Sequence, residues 1–130
     1  MKAELMYLVW VTLLTAVIWV PYILNRFAVW GYLDTVGYPE NPRPQSPWAR
    51  RMIAAHANAV ENLVVFAALV LAAQAAGVSN DATVLACAVY FWARVAYLLA
   101  YTFAVPWVRT LAFVAGFGAQ LTLAWQLLAH

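Results

Sequence analysis

Residues 47–76 read PWARRMIAAHANAVENLVVFAALVLAAQAA. Arg50, Arg51, His56, Asn58, Glu61 and Asn62 lead directly into the apolar run Leu63-Val64-Val65-Phe66-Ala67-Ala68-Leu69-Val70-Leu71. Ser46 is a good helix N-cap residue and Pro47 is favoured at a first helical position. Gly77 is a natural C-terminal stop. One helix is therefore expected over 47–76, ~45 Å long at 1.5 Å per residue. A hydrocarbon layer is only ~30 Å thick. The apolar part can cross it, which leaves the first turns at or beyond the interface. Charges that close to lipid are costly unless they face a protein interior and find partners. The cluster is thus expected to hold something polar.

The rest of the chain agrees with a membrane setting. Its 130 residues are 67% hydrophobic and 9% charged, and the mean hydropathy is +0.78. A soluble domain sits nearer half apolar and a quarter charged. The length suits one domain. A net charge of +2, with no basic aromatic patch, gives no footing for nucleic acid. Cys87, between Ala86 and Ala88, is the only cysteine. It reads as a buried, inert thiol and permits neither an internal disulfide nor a cysteine zinc site.

Three further spans follow from apolar runs of about 20 residues. The first covers about 5–27, with a kink at Pro21, whose ring nitrogen cannot donate to the helix ladder. Its apolar core is too long for a secretory signal, so it reads as a retained helix. A polar segment at 28–46, rich in glycine and proline, forms the one long loop. The third helix starts at Asn80 or Asp81 and reaches 104. The fourth runs over 106–128, opened by Pro106. The short connections make neighbours antiparallel. The expected fold is an all-α, antiparallel four-helix transmembrane bundle. Arg26, Arg43, Arg50, Arg51 and Arg109 lie on the side of the long loop, so that loop is expected to be cytoplasmic. The tryptophans read as interfacial anchors. Ala112, Ala115, Gly116 and Ala119 form a small-residue seam suited to helix association.

At 100° per residue, Arg51, Asn58, Glu61 and Asn62 fall within about one 100° sector. His56 points away, as a packing residue would. Tyr90, Arg94, Tyr97 and Tyr101 form a stripe about 60° wide on the third helix. Arg109, Phe113, Gly116 and Gln120 share a face of the fourth. These stripes can converge at the loop end of the bundle. Arg51, Arg94 and Arg109 offer planar forks for carboxylates. Glu61 and Asn58 can take an ammonium and a peptide group, and Tyr97 and Tyr101 add phenols. Glutathione, with two carboxylates, an ammonium, two amides and a thiol, suits this inventory. Two other readings stay open: Glu61 pairing with Arg94 to tie helices together, and Glu61 coupling protons in a small transporter.

Ala55-His56-Ala57-Asn58-Ala59-Val60-Glu61-Asn62 resembles the helix-two signature of the MAPEG family, the membrane-associated proteins of eicosanoid and glutathione metabolism. Arg94-Val95-Ala96-Tyr97-Leu98-Leu99-Ala100-Tyr101 resembles its helix-three signature. Arg109-Thr110 resembles the arginine and small hydroxyl residue that open helix four. The resemblance implies a MAPEG-like homotrimer of bacterial type, in an inner membrane, that uses glutathione as co-substrate. It also implies that Arg109, with Thr110, stabilises the glutathione thiolate, and that Asn58, Glu61, Arg94, Tyr97 and Tyr101 bind the peptide. A hydrophobic small-molecule substrate would arrive through the membrane lipids. Many members carry further arginines where this chain has Ala54 and Ala57, and Arg51 is the residue placed to substitute.

Overall fold

The computed structural model describes residues 1–130 and contains six helices and no strand: α1 (Ala3–Val17), α2 (Trp19–Trp30), α3 (Tyr32–Val36), α4 (Pro47–Ala76), α5 (Asp81–Thr102) and α6 (Pro106–Leu128). Helices α1 and α2 make one span, so four helical segments are long and apolar enough to cross a membrane. Only 26 of the 130 residues are buried, and most large apolar side chains face outward. Lipid is as apolar as those side chains, so outward placement carries little cost there.

The first span breaks at Ile18, three residues ahead of Pro21. The missing N–H of Pro21 leaves the Val17 carbonyl, one turn earlier, without its usual donor. The helix then continues to Trp30, beyond the expected end at 27. The segment expected as loop over 28–46 is also partly helical. Gly31, at φ +82°, turns the chain into α3, where the Thr35 hydroxyl donates to the Gly31 carbonyl at 2.7 Å. Only the stretch from Gly37 to Ser46 is irregular.

That stretch is tied to α2. The Gln45 amide donates to the Tyr22 carbonyl (2.8 Å) and accepts from Arg26 Nε (3.0 Å). Trp30 Nε1 donates to the Arg43 carbonyl. Ser46 occupies the N-cap position of α4, but its side chain does not cap. Its hydroxyl accepts from Asn25 Nδ2 instead, at 2.8 Å, so it joins the loop to α2.

One cluster draws on all four spans: Val11, Phe66 and Val70, Cys87 and Tyr90, and Leu123. At its centre the Phe66 and Tyr90 rings stack at 3.9 Å and 6°. Helix α6 packs most closely on α5. Its Gly116 sits where a Cβ would lie 3.8 Å from the Tyr90 ring and 3.9 Å from Ala93 Cβ. Most of the small-residue seam is therefore spent inside the chain, since Ala112, Gly116 and Ala119 are buried. The seam left open lies on α4. Residues 54, 57, 61, 64, 68, 71 and 75 are all exposed, at alternating steps of three and four. That is the spacing of a helix–helix contact stripe.

At the end bearing the termini, Asn80 and Thr83 form a capping box that starts α5. Glu4, only 5% exposed, accepts hydrogen bonds there from Ser79 (2.7 Å) and Thr83 (2.8 Å). A carboxylate at a helix N-terminus is favourably placed, and this one ties α1 to α5.

Candidate functional site

The polar residues gather at the opposite end, where α4 begins and α5 turns into α6. Arg51 lies in the second turn of α4. Its Nε donates to the Thr102 carbonyl at 2.9 Å, at the C-terminus of α5. A cation suits the negative end of a helix dipole. Arg109, in the first turn of α6, lies over the Tyr101 ring with its guanidinium carbon 5.1 Å from the centroid. Tyr101 meets Tyr97 edge-on at 5.6 Å, and Tyr97 approaches Phe113 at 6.1 Å. Glu61 and Arg109 both lie within Coulombic reach of Tyr97.

Two adjoining cavities open on this group. One, of about 170 Å³, is lined by Arg51, Tyr101, Ala104 and Arg109 together with apolar wall. The other, of about 240 Å³, is lined by Pro47, Arg50, Arg51, Ala54 and Tyr101. Arg51 and Tyr101 line both. Pockets for small molecules usually reach at least ~300 Å³, so a tripeptide needs both cavities and a further wall. The largest concavity lies elsewhere, as a groove of about 580 Å³ between α5 and α6 lined only by apolar residues. It carries no group able to do chemistry.

Arg94 is placed differently from Arg51 and Arg109. It is 5% exposed and lines neither cavity at the loop end. Its Nη2 donates to Asn58 Oδ1 at 2.8 Å and its guanidinium lies 4.3 Å from the Tyr97 ring centroid. Its Nε has no partner within the chain. Asn58 is held in turn by Asn62 Nδ2 at 3.2 Å, and the Asn62 carbonyl accepts from Gln120 at 3.3 Å. The three polar stripes do converge, as a chain of contacts running from α4 through α5 to α6.

Glu61 does not pair with Arg94, whose partner is Asn58. It stands exposed on the open seam of α4. Thr110 is also exposed and lines neither cavity. His56 packs toward α2, where its Nδ1 lies 2.8 Å from the Tyr22 hydroxyl. Residue patterns did not reveal the part played by the Thr102 carbonyl or by Ala104, because backbone groups and local dihedral angles leave no periodic signal. Nowhere do three His, Cys, Asp or Glu side chains come together as a metal site would require.

The family model described as the MAPEG family matches residues 6–129 of the chain. No curated protein and no solved structure matches it.

Proposed function

The chain belongs to the MAPEG family, and from that membership we propose that it is a glutathione-dependent membrane transferase or peroxidase acting on lipophilic electrophiles. The observation that carries this reading is the convergence of Arg51 and Arg109 on one cavity beside Tyr101. An electropositive, partly exposed setting is the kind that lowers a thiol pKa. The N-terminus of α6 adds its positive end to the same place.

In this reading Arg109 stabilises the glutathione thiolate. Arg51 clamps a peptide carboxylate, and Tyr97 and Tyr101 supply an apolar body with phenolic edges. The sulfur then attacks an electrophilic carbon, and a thioether forms as the leaving group departs with the bonding electrons. Arg94 and Asn58 support Tyr97 from behind. Thr110 has no contact in the chain that would draw it into the chemistry.

A single chain leaves the site open on the side of α4. Assembly as a homotrimer through the stripe at 54–75 would supply the missing wall, because its small residues allow close helix approach. Glu61 would then face a neighbouring copy and stand ready for the peptide ammonium. Homotrimerisation is part of the same proposal, as is a cytoplasmic long loop in a bacterial inner membrane.

A second reading is a non-catalytic MAPEG-like membrane protein that binds a lipid or small peptide. It is favoured by Ala54, which adds no third charge to a wall that already holds Arg50 and Arg51. One experiment separates the two. The protein in lipid nanodiscs is titrated with glutathione, with thermal midpoint and thioether formation on a lipophilic aryl halide both recorded. Stabilisation at millimolar glutathione together with turnover supports the transferase. The absence of both effects rules the transferase out, and stabilisation without turnover favours the binding protein.

A further inference from the structure

Two helices of the bundle end in the same hydrogen-bond pattern with different residues at the critical position. At the end of α4, Val78 N–H donates to the Ala73 carbonyl (2.9 Å) and Gly77 N–H to Gln74 (3.3 Å), with Gly77 at φ +72°. At the end of α5, Val105 N–H donates to Ala100 (2.8 Å) and Ala104 N–H to Tyr101 (3.2 Å), with Ala104 at φ +59°. This turn favours glycine, because a Cβ crowds the neighbouring carbonyl in the left-handed region. Ala104 is the one non-glycine residue with positive φ in the chain. It lines the cavity shared by Arg51, Tyr101 and Arg109.

The accounting of carbonyls at this end gives the strain a role. The turn's own N–H groups satisfy Leu99, Ala100 and Tyr101. The Thr102 carbonyl is left over, and it is the one that receives Arg51 Nε. Strained backbone persists where its surroundings over-determine it, and such places cluster at functional sites. Glycine would relieve the strain but would also let the turn sample more conformations.

We propose that Ala104 is a positioning residue. It holds the α5–α6 turn in one conformation, so that the Thr102 carbonyl fixes Arg51 edge-on and leaves its two terminal nitrogens to the cavity as a fork for a carboxylate. With Nε engaged, the plane of the guanidinium is set before any ligand arrives, which is the condition for bidentate recognition. The inference rests on reading these cavities as a peptide site and assigns the carboxylate clamp within it.

The first test needs no ligand. In ¹⁵N-labelled protein in nanodiscs, the Arg51 Nε–H resonance is identified by its loss in Arg51→Lys. It is expected to exchange with solvent more slowly than that of the exposed Arg50. In Ala104→Gly the thermal midpoint should stay level or rise, while Arg51 Nε–H exchange quickens at least about threefold. Glutathione affinity should weaken about three- to tenfold in both variants, the scale of one ordinary hydrogen bond lost. Exchange as fast as Arg50 in the unmodified protein overturns the proposal. So does a lowered midpoint, unchanged exchange in Ala104→Gly, or unchanged affinity where the unmodified protein binds. The expected exchange pattern without any glutathione affinity would overturn the transferase reading and leave the positioning role standing.

Discussion

Replacing Arg109 with alanine should move the titration of bound glutathione toward alkaline pH. The guanidinium is half-buried, at the rim of a cavity, over the Tyr101 ring. A unit charge about 4–5 Å from a thiolate, at an effective dielectric near 20, is worth roughly 3–4 kcal/mol. Partial exposure at the rim reduces that to about 2 kcal/mol, or about 1.5 pH units. A free thiol near pKa ~8.5 would then titrate near ~7 in the site. The sign is fixed by the charge, because a cation favours the anionic form and its removal raises the pKa. In Arg109→Ala the midpoint should return to about 8.5, which lowers the thiolate fraction at pH 7 about fifteenfold and leaves it almost unchanged above pH 9.5. The ultraviolet absorbance of bound thiolate, titrated in both proteins under saturating glutathione, measures this directly. Arg109→Lys, which keeps the charge, should shift the midpoint less. If Arg109→Ala binds glutathione with an unmoved midpoint, Arg109 is not the thiolate partner.

Three further predictions concern the frame. Asn58→Leu should destabilise the protein by about 2–3 kcal/mol, the scale of one hydrogen bond to a buried charged group, because Arg94 would lose its one side-chain acceptor; thermal unfolding in nanodiscs would show it, and an unchanged midpoint would refute it. Glu4→Ala should cost about 2 kcal/mol, near one charged hydrogen bond and not two. Thr83 can turn its hydroxyl proton to the Asn80 carbonyl, 2.9 Å away, and the exposed Ser79 can turn to solvent; a loss above about 4 kcal/mol would show that no such rescue occurs. Gly116→Ala should be neutral or stabilise by up to ~1 kcal/mol through helix propensity, because its Cβ would meet only ordinary contacts. Gly116→Leu should separate α6 from α5 and lower the thermal midpoint sharply.

The spans themselves were legible along the chain. The expected limits 47–76 and 106–128 coincide with α4 and α6. Pro47, Gly77 and Pro106 mark those ends through backbone constraints that belong to single residues. The Pro21 break was visible too, though its place was not. Proline removes a bond one turn behind itself, so the helix opens at Ile18. The extra helix α3 was hidden because five residues are too few to show a helical period, and its start depends on the backbone dihedral of Gly31. The convergence of tyrosines and arginines was also foreseeable, since helical period and antiparallel order bring late α5 beside early α4 and early α6.

What the amino-acid sequence determined by itself is the membrane bundle, its family and the set of polar residues at one end. Hydropathy, helical period and end signals are properties of consecutive residues, so they survive without knowledge of any partner. Tertiary structure alone decided the separation of roles within that set. Asn58 and Glu61 share one sector of α4, yet Asn58 turns inward to Arg94 while Glu61 stays outside on the open seam. The boundary between buried and open faces cuts through that sector, and its position is set by how α4 is rotated against α5 and α6. Rotation of one packed helix against another depends on contacts far apart in the chain, such as Gly116 on Tyr90 and Phe66 on Tyr90.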